Sequence, residues 1–371
     1  MPKKVYSEDV TESYTKSLPY PFMRNEFLDA LESSQSACAE TGWLPLHVLL
    51  TGKHSGVFMP LYLKNHSMGE YVFDYTWANA YHQHGVNYYP KLVTAIPFTP
   101  STGSRIRGVA ELTPDTCASL LESVWNQAEE QHASSWHLLF PDKTSVEAFT
   151  QQDLLHRVGV QYHWFNYGYQ NFEDFLSCLT SRKRKMIRRE RGNVAAQNID
   201  ITVEQGSSIT EDIWELFYDL YERTYAKRSG TPGYLRPKFF NHISKSIPEQ
   251  IAMAIARQDQ VPVACALYFY DDKHLYGRYW GSIREFDYLH FELCYYTGIE
   301  FAIANDLECY DAGAQGEHKI IRGFEPIETY SLHWIRHQEF KSAIADFLRN
   351  ERHYIERHIE QARNILPFKK S

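Results

Sequence analysis

The segment Tyr310–Pro326, YDAGAQGEHKIIRGFEP, sets Gly313, Gly316 and Gly323 among Gln315, Glu317, His318, Lys319 and Arg322. Glycines let the backbone turn left-handed and approach a ligand closely. An imidazole, a carboxylate and two cations in one short turn could take a proton and hold a developing anion. A solvated surface loop has the same composition. The elements that flank the turn must decide between the two.

The run before it, LHFELCYYTGIEFAIANDL, is apolar nearly all round and reads as a buried helix. It carries His290, Glu292 and Glu300 among Leu289, Leu293, Tyr296 and Ile303 on one side and Phe291, Cys294, Tyr295 and Phe301 on the other. A carboxylate in such surroundings has a raised pKa, the condition for general acid–base work, unless an arginine or the backbone compensates it. A second helix is expected over about 171–196. At 100° per residue, Phe172, Phe175, Leu176, Leu179, Met186, Ile187 and Val194 share one face, with Arg184, Lys185, Arg188, Arg189 and Arg191 opposite. Lys183 and Glu190 project from the apolar stripe, where an unpaired charge is costly. Each therefore needs an ion-pair partner or a wet cleft. The basic face is either a solvated surface or a site for an anion such as a nucleotide, an RNA backbone or a polyanionic precursor. No aromatic residue interrupts it, so base stacking is not expected.

The chain has 371 residues, a formal charge of −8, 43% hydrophobic and 15% aromatic residues. That is enough apolar material for two domains. The mild acidity disfavours indiscriminate nucleic-acid binding while permitting a local basic patch. The polar start, MPKKVYSEDVTESYTKSLPY, predicts no signal peptide. No apolar run approaches the ~18 residues of a membrane span, and a cytoplasmic location is expected. Cys38, Cys117, Cys178, Cys265, Cys294 and Cys309 are scattered and form no C-x-x-C pair, as reduced core thiols would be. Dinucleotide, P-loop, nucleophile-elbow and zinc-enzyme motifs do not occur. His82 and His84 in YHQHG could face one side of a strand, but no distant cluster completes a metal site, and none is expected.

Strand and helix patterns alternate. PFMRNEFLDALESSQSACAETG predicts a helix ending at Gly42, and LPLHVLL and GVFMPLYLK predict short strands. Thr113 and Pro114 open a helix. IAMAIARQ, VPVACALYFYDD and KHLYGRYWGSI predict an antiparallel meander, ECYDAG a further strand, and 338–363 a terminal helix. The pattern predicts an α/β protein with mixed sheets in two domains, 1–165 and 166–371.

FEDFLSCLTSRKRKMIRRERG, HFELCYYTGIEFAIANDLECYDAGAQGEHKIIRGFEP and SLHW resemble the FemAB-like branch of the GNAT acyltransferase superfamily, in its peptidoglycan biosynthesis or recognition group. The resemblance is densest over 160–335. It implies two GNAT-like domains in tandem and transfer of an acyl or aminoacyl group to an amine. QGEHKIIRG has the Gln and Gly of the turn that grips the CoA diphosphate in acetyltransferases, [QR]-x-x-G-x-[GA], but at the wrong spacing, so the resemblance leaves both aminoacyl-tRNA and acyl-CoA open as the donor. On this reading the base is Glu292 or Glu317, with His318 as the alternative. Backbone amides around 313–316 and Arg322 stabilise the oxyanion or acyl group, and Gly313, Gln315, Gly316 and Lys319 are expected to bind substrate. Lys183, Arg184 and Arg188, on a basic helix spanning 182–191, contact donor or acceptor phosphates. Tyr279, His290 and Tyr296 line the cleft. A non-catalytic binding module of the same shape and a CoA-dependent polyamine or antibiotic acetyltransferase are the competing readings.

Overall fold

The computed structural model describes residues 20–314 and 316–369. Gln315 and residues 1–19 of the polar start, on which the expectation of no signal peptide falls, lie outside the described residues. The chain forms two compact units. The first closes at Val160 and takes back Glu328–Arg357; the second holds Gln161–Ile327 and resumes at His358. The sequence suggested one boundary near residue 165. Instead the chain changes unit inside two long strands, β7 (Leu155–Phe165) and β13 (Glu325–Ile335), and again within the terminal helix. No flexible linker is needed, which is why composition shows none.

In the first unit, β1 (Leu44–Pro45), β4 (Tyr62–Lys64), β5 (Lys91–Thr94), β6 (Ser135–Leu139) and β13 lie side by side, with β2 (Val48–Leu49) and β3 (Phe58–Met59) as a separate hairpin. Helices α1 (Asn25–Ser33), α2 (Tyr75–Gln83), α3 (Pro114–Glu130) and α4 (Lys143–Ala148) accompany them. β5 and β6 are parallel, joined through α3, whose Thr113 cap accepts from Thr116 N. Leu92, Leu120, Val124, Trp136 and Leu332 form a fully buried core there. Two expectations are corrected. α1 stops at Ser33 rather than Gly42, because the following serine hydroxyls bond locally, Ser34 to Leu31 O and Ser34 to Ser36, and compete with the helical ladder. YHQHG ends helix α2 rather than forming a strand, and His82 and His84 are exposed. Among the described residues no group of three or more His, Cys, Asp or Glu could hold a metal.

The second unit is built on β8 (Ile199–Gln205), β9 (Ile251–Gln258), β10 (Val261–Tyr270) and β11 (His274–Ser282), an antiparallel meander, followed by β12 (Cys309–Asp311), parallel to β11, and β7. Its helices are α5 (Phe172–Cys178), α6 (Ser181–Ala195), α7 (Glu211–Ser229), α8 (Pro237–Ser246) and α9 (289–304); α10 (Gln338–Asn364) is terminal. The helix expected over 171–196 is two helices. Leu179 is extended, Thr180 N donates to Pro367 O and Lys369 N to Cys178 O, so a segment nearly two hundred residues away in sequence pins the break. Local periodicity is blind to such a contact. Cys117, Cys265 and Cys309 are buried free thiols, but Cys178 is exposed, so the core assignment fails there.

Two irregularities shape the second unit. Leu267 pairs with Tyr279 and Tyr268 with Gly277, leaving Arg278 as an extra residue in β11. Such a bulge bends a strand and re-aims its side chains. β11 pairs with β12 only from His274 to Tyr276, so the two parallel strands part just before the bulge. Beyond it Tyr279 packs on Tyr221 of α7 and Trp280 on His290 of α9. In α9, Glu292–Tyr296 is wound as a π-helix. Wider winding leaves carbonyls without their usual partners, and two buried phenols compensate: Tyr268 donates to Leu293 O and Tyr310 to Cys294 O. Tyr310 needs Gly298 beside it, since a Cβ there would lie 2.4 Å from its ring. Gly298→Ala should therefore destabilise the second unit by about 1–3 kcal/mol through overpacking, against the ~1 kcal/mol that helix propensity alone would add. Urea unfolding checks the sign.

Candidate active site

Where β11 and β12 part, the chain turns through Gly313 and Gly316 into a 3₁₀ turn, Glu317–Arg322, closed by Gly323 in the left-handed conformation. The turn projects Lys319 inward. Its side chain is buried, and Nζ donates to Gly313 O. Burial pulls its pKa down to about 8, opposed by the Asp311 carboxylate and reinforced by Arg278. Asp311, at the end of β12, accepts from Gly313 N at 2.8 Å and lies 4.0 Å from the Arg278 guanidinium and 3.7 Å from His163 Nε2. Burial drops His163 to about 4, so this imidazole is neutral. Bulge, strand end and turn thus converge on two cations around one carboxylate.

On the same turn His318 is exposed, and its Nε2 lies 2.7 Å from the Tyr295 hydroxyl. A Cβ on Gly316 would meet the His318 ring at 2.6 Å, so that glycine makes room for it. Burial and the charges of Arg322, Lys319 and Arg228 lower the His318 pKa, and burial raises that of Tyr295. At neutral pH the pair is an unprotonated imidazole and a protonated phenol. With the imidazole proton on Nε2, that atom donates to the Tyr295 oxygen and Nδ1 is left as an acceptor. Arg322 anchors the turn from behind. Its guanidinium forks onto Glu190 at 2.9 Å, donates through Nε to the Tyr296 oxygen and through NH1 to His318 O, and lies 3.6 Å from the Phe291 ring centre. Tyr296 in turn donates to Glu190.

The structure brings His318, Lys319, Arg322, His290, Tyr296, Gly313 and Gly316 around this turn. His290 lies between Trp280 and His318, its pKa pulled to about 3 by burial. Lys183 is half-buried; burial, Arg182 and Arg322 all depress its pKa. Glu190, the other charge in the apolar stripe, has its ion-pair partner in Arg322. The remaining residues lie apart. Glu292 faces Arg191 with Glu300: Arg191 Nε donates to Glu292 at 3.1 Å, and NH1 and NH2 to Glu300 at 2.7 and 3.0 Å. Burial raises the Glu292 pKa and the guanidinium opposes it. Arg191 therefore leaves the exposed basic face on which its position in the helix set it. Glu317 is exposed, 4.0 Å from His358. Arg184 is half-buried, and Arg188 pairs with Glu173 at the surface. Tyr279 sits among Tyr221 and Phe240 on the α7 side. Tyr295 and Arg278 were not singled out from sequence as reactive groups, nor was Asp311. The one available signal was Asp311 itself, a carboxylate ending an apolar strand directly before a glycine turn.

Parallel strands joined through a helix and flanked by antiparallel neighbours occur in both units, β5–β6 in one and β11–β12 in the other, and define a mixed α/β architecture repeated in tandem. Residues 8–370 match the FemAB-like family, described as peptidoglycan biosynthesis/recognition, and the chain belongs to that family. No functionally curated protein matches it. Among solved structures it is similar to FemX (12% identity, 92% of this chain and 98% of that one, TM-score 0.55). It is also similar to L-PGS from Bacillus licheniformis (10%, 86% and 92%, 0.51) and to a conserved protein of unknown function from Bacteroides thetaiotaomicron VPI-5482 (11%, 90% and 99%, 0.51). At these identities the likeness is one of fold. Among the described residues no helix is long and apolar enough to cross a membrane.

Proposed function

We propose that the second unit is an N-acyltransferase that moves an aminoacyl group from the ester of an aminoacyl-tRNA to the amine of a peptide-bearing cell-wall precursor. The observation that carries this reading is the grouping of a neutral imidazole–phenol pair with buried cations where β11 and β12 separate. An amine nitrogen attacks the ester carbonyl, and His318 Nδ1 takes its proton. Lys319 holds the negative charge that develops on the carbonyl oxygen. The C–O bond then breaks, and the leaving hydroxyl recovers the proton. Desolvation, then positive charge from Arg322, Lys319 and Arg228, lowers the His318 pKa, as a base acting near neutral pH requires.

For the donor, the connection from β11 into α9, residues 283–288, contains no glycine and enters the helix through Tyr288 in the left-handed conformation. This favours an RNA-borne ester over CoA. The exposed Arg182, Lys185 and Arg189 of α6 supply contacts for an RNA backbone. Replacing all three with Gln should lower the slope of log affinity against log salt for aminoacyl-tRNA by about 2–3, at roughly 0.7–0.9 per phosphate contact. An unchanged slope removes α6 from RNA binding. The deciding assay follows labelled amino acid from a mixed aminoacyl-tRNA pool, and labelled acetyl from acetyl-CoA, into an amine acceptor, beside thermal shifts with each donor. Transfer from acetyl-CoA alone reassigns the donor. Stabilisation by a donor with no transfer from either assigns the chain to recognition, the second half of its family's description.

A further inference from the structure

His290 stands beside His318 yet takes no part in the chemistry proposed there. Its ring centre lies 4.7 Å from that of Trp280 and 6.3 Å from that of His318, and neither ring nitrogen is hydrogen-bonded among the described residues. Trp280 Nε1 is buried and likewise has no acceptor among them. Buried N–H groups are ordinarily paired, so a donor left over beside a reaction centre points to a ligand oxygen.

The charges around these donors set the class of that ligand. Arg228, Lys319 and Arg322 act on both His290 and His318. Arg322 is forked onto Glu190, and Lys319 is bonded to Gly313 O. Arg228 is exposed and has neither a hydrogen bond nor an ion pair among the described residues, while its neighbour Lys227 takes Glu285. A surface arginine can rest in solvent, but this one stands over the site. Thr224, one turn earlier on α7, donates through Oγ1 to Trp280 O at 3.1 Å, and Arg228 continues that face of the helix. β11 has no β12 partner beyond Tyr276. At that open end the Arg228 charge bears on His290, where it is the largest of the charges acting, and on Cys294, Tyr295 and His318.

We infer that Arg228, with the N–H groups of His290 and Trp280, binds a carboxylate of the acceptor, and that the attacking amine sits on the carbon bearing that carboxylate or on the next. This rests on the transferase reading and names the substrate class of its site. The planar guanidinium fork and two single N–H donors match the two oxygens of a carboxylate. The 6.3 Å between His290 and His318 confines anion and amine to one small unit. The anion belongs to the acceptor, because the donor's own α-ammonium would be repelled by Arg228. A carboxylate beside an amine favours the ammonium form, and Arg228 offsets that charge, which eases loss of the proton to His318.

Mono-N-acetyl-diaminopimelate, whose free amine and a carboxylate share one carbon, tests this against its derivative amidated at that carboxylate. With the donor selected by the preceding assay, the wild type should prefer the free acid by about tenfold in kcat/KM, the usual worth of a charge-assisted contact. Arg228→Gln should bring the ratio close to one. Both acceptors meet the same base, so the ratio cancels any effect of Arg228 on His318. Arg228→Lys should retain part of the preference, since the charge remains and the fork is lost. Trp280→Phe keeps the ring and removes its N–H, and should lower the preference by about two- to fivefold. A wild-type ratio near one, or a preference unmoved by Arg228→Gln, overturns the assignment. Calorimetric titration of the same two compounds separates the site from the reaction. Absence of transfer to either compound counts against the transferase reading, while tighter binding of the free acid that Arg228→Gln abolishes still upholds the carboxylate site. Equal binding of the two, or none, overturns it.

Discussion

Replacing His318 with alanine is expected to cut turnover by about 10²- to 10⁴-fold, the usual worth of a positioned general base, with little change in stability because the side chain is exposed. Tyr295→Phe should cost less, since it removes the partner that fixes the ring and not the acceptor itself. The pH profile carries the sharper test. His318 must be unprotonated, and its pKa is lowered. Activity should thus fall on the acid side only below the ordinary histidine range of ~6.5. Lys319 must be protonated to hold the oxyanion, and its pKa is about 8. The alkaline limb should therefore appear near pH 8, well below that of an ordinary lysine. Lys319→Met should lower turnover and erase that limb while the acid limb stays. An alkaline limb persisting in Lys319→Met refutes the role assigned to this lysine, and a His318→Ala variant of normal activity refutes the site.

The largest effect on stability belongs to Arg322. Its guanidinium and Glu190 are both almost fully buried, and Tyr296 bonds to each. Arg322→Met leaves the Glu190 carboxylate without its cation, an error that costs about 3–5 kcal/mol. The double replacement Arg322→Met with Glu190→Leu removes both charges and should recover most of the loss, because an apolar pair of similar volume often matches a buried ion pair. Urea unfolding of the three variants forms the test. Two units need not unfold together, so a probe within residues 161–327 is required. Equal losses in single and double variants would show that packing, not charge, governs the position. Because Arg322 also holds the His318 carbonyl, the single variant should lose activity as well.

The sequence revealed the elements better than their exceptions. Glu190 stood out because a carboxylate among Ile187, Phe175 and Val194 demands compensation, and that demand is local to one helix. What satisfied it was not legible: Arg322 is 132 residues away, and no spacing rule reaches so far. Arg191 shows the converse. Its position placed it on the basic face, yet two carboxylates of α9 draw it inward. The split at Leu179–Thr180 lies inside an unbroken apolar period, and only the pairing with Pro367 and Lys369 creates it. The bulge at Arg278 left no mark either, since a strand with one extra residue has the composition of a strand without it. Yet without that extra residue Tyr279 and Trp280 would exchange faces of the sheet. The turn at 313–323 was the most legible part of the site, because three glycines among ionisable groups advertise unusual backbone on their own.

The interleaving of the two units bears on how the protein is made. β6 borders β13 through pairs such as His137 with His333 and Trp136 with Trp334. A ribosome that has released residues 20–160 has not yet supplied that neighbour, and residues 161–327 must be translated first. At about 5–20 residues per second, the early half waits roughly ten to thirty seconds with a raw strand margin available to any other chain. A growing polypeptide of this design cannot complete its halves in the order of synthesis, and nascent-chain chaperones should be found on it until β13 emerges.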